Sequence, residues 1–175
     1  SRSARTKGST MPFQPQTGQF YRMPIFFGPM PGPRQWPEGR TFDFRTTPRM
    51  RMIGIRMRTN PDQLTAMLPD RFELRGDPIV TVELNYMTEI GWLAGRGYNL
   101  CDVKFEVTYH SSNGPVNGTL VLVRWENLCD PILSGREELG HNKLYCEIPE
   151  PRLIDGHQKV RLSWLDTPFL DLSVT

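Results

Sequence analysis

"DPILSGREELGHNKLYCEI", residues 130–148, holds a helix signal, a stop and a strand signal in one run. Asp130 and Pro131 suit a helix start, and Gly140 suits its end. "KLYCEI" then reads as a strand with a lysine, Lys143, at the head of an otherwise apolar run. That lysine is unusual in this chain, because only four of its 21 Lys+Arg residues are lysines: Lys7, Lys104, Lys143 and Lys159.

Working outward, strands dominate. "RMRMIGIRM" (49–57) alternates long basic and apolar residues. In "TNPDQLTAML", Asn60 can cap a short helix with Pro61 at its first position and Gln63 where a capping box wants it; this helix ends before Pro69. "DPIVTVELNYM", "DVKFEVTYH", "TLVLVRWE" and "QKVRLSWL" read as further strands. "GWLAGRGYN" is a glycine-broken loop, and "SSNGPVNG" carries two Asn-Gly turn signals. Strands outnumber helices, and most are joined by turns. The expected class is mainly β (α+β): a closed or partly closed antiparallel β-barrel with a few short helices.

The amino-terminal part reads differently. Residues 1–19, with Arg2, Arg5 and Lys7, are expected to be a disordered tail. Residues 20–175 are expected to form one domain that begins with a proline-rich arm over 20–45. "MPIFFGPMPGPRQWPEGR" has five prolines, so it suits neither helix nor central strand. Its Phe26, Phe27 and Trp36 are costly to leave in water, so the arm is expected to pack over the domain or a partner subunit.

Composition narrows the function. With 38% hydrophobic and 23% charged residues, 175 residues can bury a real core. A net charge of +2 is too small to argue for nucleic acid. No apolar run reaches the length of a membrane span, and no signal-peptide pattern opens the chain. Cys101, Cys129 and Cys146 lack metal-ligand spacing and suit reduced thiols in a cytoplasmic or organelle-matrix protein. His110, His141 and His157 are scattered, there is no glycine-rich phosphate loop, and no cofactor is expected.

Three stretches, "WLAGRGYN" (92–99), "WEN…DPILSGRE" (125–137) and "GHNKLYCEIP" (140–149), together with "MPIFFGP", resemble the acetoacetate decarboxylase family over about residues 20–165. The resemblance implies a closed antiparallel barrel around a Schiff-base lysine. The family places that lysine six residues after the Glu of its Gly-Arg-Glu motif, which gives Lys143. Activation of such a lysine by desolvation or a nearby cation is what the resemblance brings with it. The underlying chemistry is general. An amine attacks a carbonyl only when unprotonated, and burial disfavours the charged form. Leu139, Leu144, Tyr145 and Ile148 are expected to supply the apolar setting. The resulting iminium draws electrons from the adjacent carbon, so carbon dioxide or a proton can leave. The competing reading of Lys143 is a surface lysine that begins a strand.

The resemblance also implies acid/base help from Glu83; the competing reading is an outward-facing carboxylate. It implies carboxylate binding by Arg51 or Arg49, for which the two-pronged guanidinium is suited, with Arg56 and Arg58 as rivals; the competing reading is ordinary exposed arginines. Tyr98 would line the pocket or simply pack. Two departures stand out. The family follows its reactive lysine with a second one, where this chain has Leu144. It also carries a glutamate two residues after the tyrosine equivalent to Tyr98, where this chain has Leu100. A lysine restored at Leu144 is expected to depress the first amine if both point into one pocket. The function implied is Schiff-base chemistry on a small keto acid or related carbonyl compound, by decarboxylation or by aldol and dehydration steps. The expected assembly is a homo-oligomer or a subunit of a larger one. The alternative is a non-catalytic member serving as a binding or structural subunit.

Overall fold

The computed structural model describes Thr17, the short strands β1 (Tyr21–Arg22) and β2 (Met30–Pro31), and residues 48–175. The chain divides into two units, Ser1–Phe42 and Asp43–Thr175. In the first, β1 and β2 pair antiparallel. The tail expected over 1–19 and the arm expected over 20–45 otherwise lie outside the described residues.

The second unit is built on a sheet path of β3 (Arg49–Arg58), β5 (Ile79–Thr88), β6 (Tyr98–Ser111), β7 (Gly114–Glu126) and β8 (Lys143–Tyr145), with β4 (Phe72–Leu74) paired to β6. A second sheet orders β11 (Thr167–Val174), β10 (His157–Trp164) and β9 (Arg152–Ile154). The α-helices among the described residues are α1 (Pro61–Thr65) and α2 (Cys129–Leu139), with a 3-10 turn at Gly91–Leu93. Asn60 caps α1, its side chain accepting from Asp62 N at 2.8 Å. Gly140 ends α2 at a φ of 68°, which favours glycine.

Two expectations are corrected. The sheet is not wholly antiparallel, because β8 runs parallel to β7. Parallel neighbours need a long crossover, and residues 127–142, containing α2, provide it. Among the described residues the arrangement is mainly β, and neither sheet closes on itself. The second Asn-Gly signal also falls elsewhere. Asn117 and Gly118 lie within β7, opposite Thr108 and Val107, and the Thr108 hydroxyl donates to Asn117 Oδ1 at 2.9 Å.

Alternation sorts the two faces of the large sheet. Val82, Leu84, Tyr86 and Cys101 share one face and form a buried core with Cys146, Ile148, Val160 and Leu162. A satellite core joins Leu64 of α1 to Phe105 and Val107. Each such side chain contributes roughly 1.5–3 kcal/mol when fully buried. That leaves the opposite face for the polar residues, and α2 ends at the turn that feeds β8 onto this face.

Candidate functional site

One row of paired residues crosses the sheet on its polar face: Gly54, Glu83, Asp102, Arg124 and Lys143, on β3, β5, β6, β7 and β8 in turn. Residues directly opposed in a ladder share a face. Three ion pairs follow from this register. Lys104 Nζ lies 2.8 Å from Glu83 Oε2, and Arg124 donates through Nε and Nη2 to both Asp102 oxygens at 2.6 Å. Lys143 Nζ lies 2.8 Å from Glu126 Oε1.

Burial is deep at the β8 end of the row. The side chains of Lys143 and Glu126 are 7% and 0% exposed. The cover is α2. Lys143 Nζ donates to the Pro131 carbonyl oxygen at 3.0 Å, and Gly135 leaves the space in which the lysine lies. A Cβ at Gly135 would sit 2.4 Å from Lys143 Cε. Arg136 Nη1 ties the next turn of α2 to the Lys143 carbonyl oxygen at 2.8 Å. Asn142 Nδ2 donates to the Val121 and Leu122 carbonyls, beside the register shift in the β6–β7 ladder, and so fixes where β8 begins.

Electrostatics follow the geometry. Burial pushes the Glu126 carboxyl above its ordinary value, against the pull of Lys143 and Arg124. Neither Glu126 oxygen receives a hydrogen bond of ordinary geometry among the described residues, so its link to Lys143 is an ion pair rather than a well-directed hydrogen bond. At Glu83, burial alone acts upwards. The Asn85 amide and the Lys104 ammonium outweigh it and hold that carboxyl below its ordinary value. Hydrogen bonding to Asp102 raises Arg124 further and keeps it charged.

The expected site residues are only partly brought together. Lys143 is buried rather than at the surface, and it shares a face with Glu83 and Tyr98. Glu83 is three strand spacings away, about 14 Å along the sheet, with the Asp102–Arg124 pair between. Tyr98 adds to the field at Arg124. Arg51 and Arg49 lie on the other face, because Arg51 pairs with the core residue Tyr86. Arg51 sits over the Tyr86 ring, 4.8 Å from its centroid, and pairs with Glu150, while Arg49 pairs with Glu89. The apolar surroundings expected for Lys143 are also different. Leu139, Leu144 and Tyr145 are 46%, 51% and 44% exposed, and Leu144 turns to the opposite face beside Trp125. The residues around the amine that the sequence did not assign to the site are Glu126, Pro131 and Gly135. A glycine inside a helical pattern was the one local hint.

A cleft of about 1000 Å³ lies elsewhere, lined in part by Asn127, Glu147, Arg152 and Lys159. Among the described residues no group of three or more His, Cys, Asp or Glu could hold a metal ion, and no helix is long and apolar enough to cross a membrane.

The family model for acetoacetate decarboxylase matches residues 22–175. The chain belongs to the acetoacetate decarboxylase family. Among solved structures, it is similar to the enduracididine biosynthesis enzyme MppR complexed with the condensation product of pyruvate and imidazole 4-carboxaldehyde, at 16% identity and a TM-score of 0.59, covering 72% of this chain and 53% of that one. It is also similar to acetoacetate decarboxylase from Legionella pneumophila subsp. pneumophila str. Philadelphia 1, at 21% identity and a TM-score of 0.57, covering 70% and 46%. An acetoacetate decarboxylase-like enzyme from Sphingomonas wittichii RW1 matches at 16% identity and a TM-score of 0.57, covering 72% and 55%. No curated protein matches the chain. This acetoacetate decarboxylase-family chain therefore spans about half the length of these solved structures, and at such identities the likeness is one of fold.

Proposed function

We propose that this family member forms a Schiff base through Lys143 with a small keto acid or related carbonyl compound. Decarboxylation is one outcome of the iminium, and aldol or dehydration chemistry is the other. The observation that supports the reading is the recess built for one amine: Gly135 gives it room, while Pro131 and Glu126 hold its nitrogen. Glu83 and Tyr98, on the same face, belong to this proposal as groups acting at longer range. Arg51 and Arg49 lie on the opposite face of the sheet, which curling does not reverse, so they stand outside this proposal as carboxylate binders. Closure into a barrel and assembly into an oligomer are part of the same proposal, since either would shut the polar row off from water.

A second reading, a non-catalytic binding or structural subunit, is favoured by the pairing of Lys104, Arg124 and Lys143 with a carboxylate each. One experiment separates the two. The full chain is incubated with pyruvate or acetoacetate, reduced with borohydride and weighed intact, with peptide mapping of any adduct. A reduced adduct on Lys143 that is absent from Lys143→Ala supports the Schiff base. No adduct, or one on another lysine, supports the second reading.

A further inference from the structure

We infer that Glu126 is a catalytic residue of this site, its carboxylate taking a proton from the Lys143 ammonium and giving it back to the departing oxygen as the imine forms. The inference rests on the Schiff-base reading above and extends it to the proton path.

The geometry is direct. Glu126 Oε1 and Lys143 Nζ are 2.8 Å apart, within the reach of direct proton transfer. A buried carboxylate is ordinarily saturated by amide or hydroxyl donors. Glu126 is 0% exposed and has no such hydrogen bond among the described residues, so its oxygens retain the capacity to take up a proton. Leu100 stands directly opposite it on β6, itself buried, and supplies neither charge nor donor. The titratable groups around it are few. Arg124 and Asp102 share its face but bind each other through two hydrogen bonds. Tyr145 is opposite it on β8. From α2, Asp130 lies in the first turn and Arg136 is engaged by the Lys143 carbonyl oxygen. Burial also pushes the Glu126 carboxyl above its ordinary value.

The steps balance. Proton transfer converts the ammonium and carboxylate into an amine and a carboxylic acid. The amine nitrogen adds to the carbonyl carbon, and the π pair moves to oxygen, which takes a proton from the nitrogen. The Glu126 acid then protonates that hydroxyl. The carbon–oxygen bond breaks, water leaves, and the nitrogen lone pair closes the iminium. Glu126 ends as carboxylate and the charge rests on the iminium, as it rested on the ammonium at the start.

The test uses the full chain with pyruvate, sampled over time at a series of pH values and quenched with borohydride at one fixed pH. Adduct on Lys143 is quantified by peptide mass. The active form is the pair holding one proton, so the wild-type rate should be bell-shaped in pH. In Glu126→Gln the maximal rate should fall roughly 100-fold, the scale of general acid–base catalysis, and the alkaline fall should vanish. Glu126→Asp keeps a carboxyl and should keep the bell with a smaller loss. A Glu126→Gln protein with the wild-type maximal rate overturns the inference alone. If that variant does not fold, a flat alkaline plateau in the wild type, or in Glu126→Asp, overturns it equally. No wild-type adduct, or one that survives Lys143→Ala, removes the Schiff-base reading and this inference with it.

Discussion

A Cβ on Gly135 would lie 2.4 Å from Lys143 Cε and 2.6 Å from its Nζ. Glycine in a helix interior normally costs about 0.5–1 kcal/mol relative to alanine, so Gly135→Ala on a bare helix face would stabilise. Here the new methyl group occupies the lysine's place. The atoms it meets are the free end of a side chain, so the lysine rather than the helix should move. Its amine then leaves Glu126 and the Pro131 carbonyl. The expected outcome is a lower melting temperature and at least a tenfold loss of borohydride-trapped adduct. A higher melting temperature with normal trapping would show that the recess is not needed.

The Lys143–Glu126 pair should show strong coupling in urea unfolding. Removing one partner of a buried pair leaves an uncompensated charge, at a cost of about 3–5 kcal/mol, whereas replacing both with apolar residues is often neutral or better. Lys143→Met and Glu126→Leu should each destabilise, and the double variant should recover most of the loss. Additive losses would mean that the two groups do not interact in solution.

The Glu83 carboxyl is held below its ordinary value of 4.5. A depressed carboxyl contributes stability that is present above its unfolded value and is lost as pH falls through the folded one. Wild type should therefore exceed Glu83→Gln in stability above about pH 4.5, and the difference should shrink as the solution is acidified further. Glu126 is shifted the other way, so its contribution is present below the ordinary value and lost as pH rises. Denaturation midpoints of both variants across that range check the signs. Parallel curves for wild type and Glu83→Gln would remove the Lys104 and Asn85 contacts from the account.

Residue pattern made much of this legible. The alternation in 49–57, 79–88 and 119–126 gave real strands, and Asn60 and Gly140 act as the caps they resemble. β11 went unread because the β10–β11 turn uses Leu165 and Asp166, both at positive φ, where a glycine or asparagine would have announced it. The direction of β8 was not readable either, since a helix between two strands leaves their relative sense open to tertiary packing. The site shared that limit. Lys143 stood out through its motif, but Glu126 matters only because β7 and β8 run parallel in this register.

The three cysteines offer a check on the core. Burial pushes the thiols of Cys101 and Cys146 up to about 12, and both are fully buried, while Cys129 is exposed. The thiolate is the reactive form. A disulfide reagent at mildly alkaline pH should therefore titrate one thiol quickly in the native protein and all three after denaturation. A second fast thiol would mean that the core around Cys146, next to β8, opens readily.

Leu144 follows the reactive-lysine position, where the family resemblance implies a second lysine. Successive strand residues point to opposite faces, and in β8 Lys143 pairs with Arg124 while Leu144 pairs with Trp125. Leu144 lies among Trp125, Tyr145, Trp164 and Phe169, half exposed. An ammonium introduced there would stand in solvent, with the sheet between it and the Lys143 amine. Like charges disfavour ionisation only at close range, and exposed charges are screened. Leu144→Lys should accordingly leave the pH midpoint of Lys143 trapping where it is, and the same holds with an amine-directed acylating reagent. A midpoint that moves down would show that both amines enter one pocket and that β8 twists away from this register when the site is working.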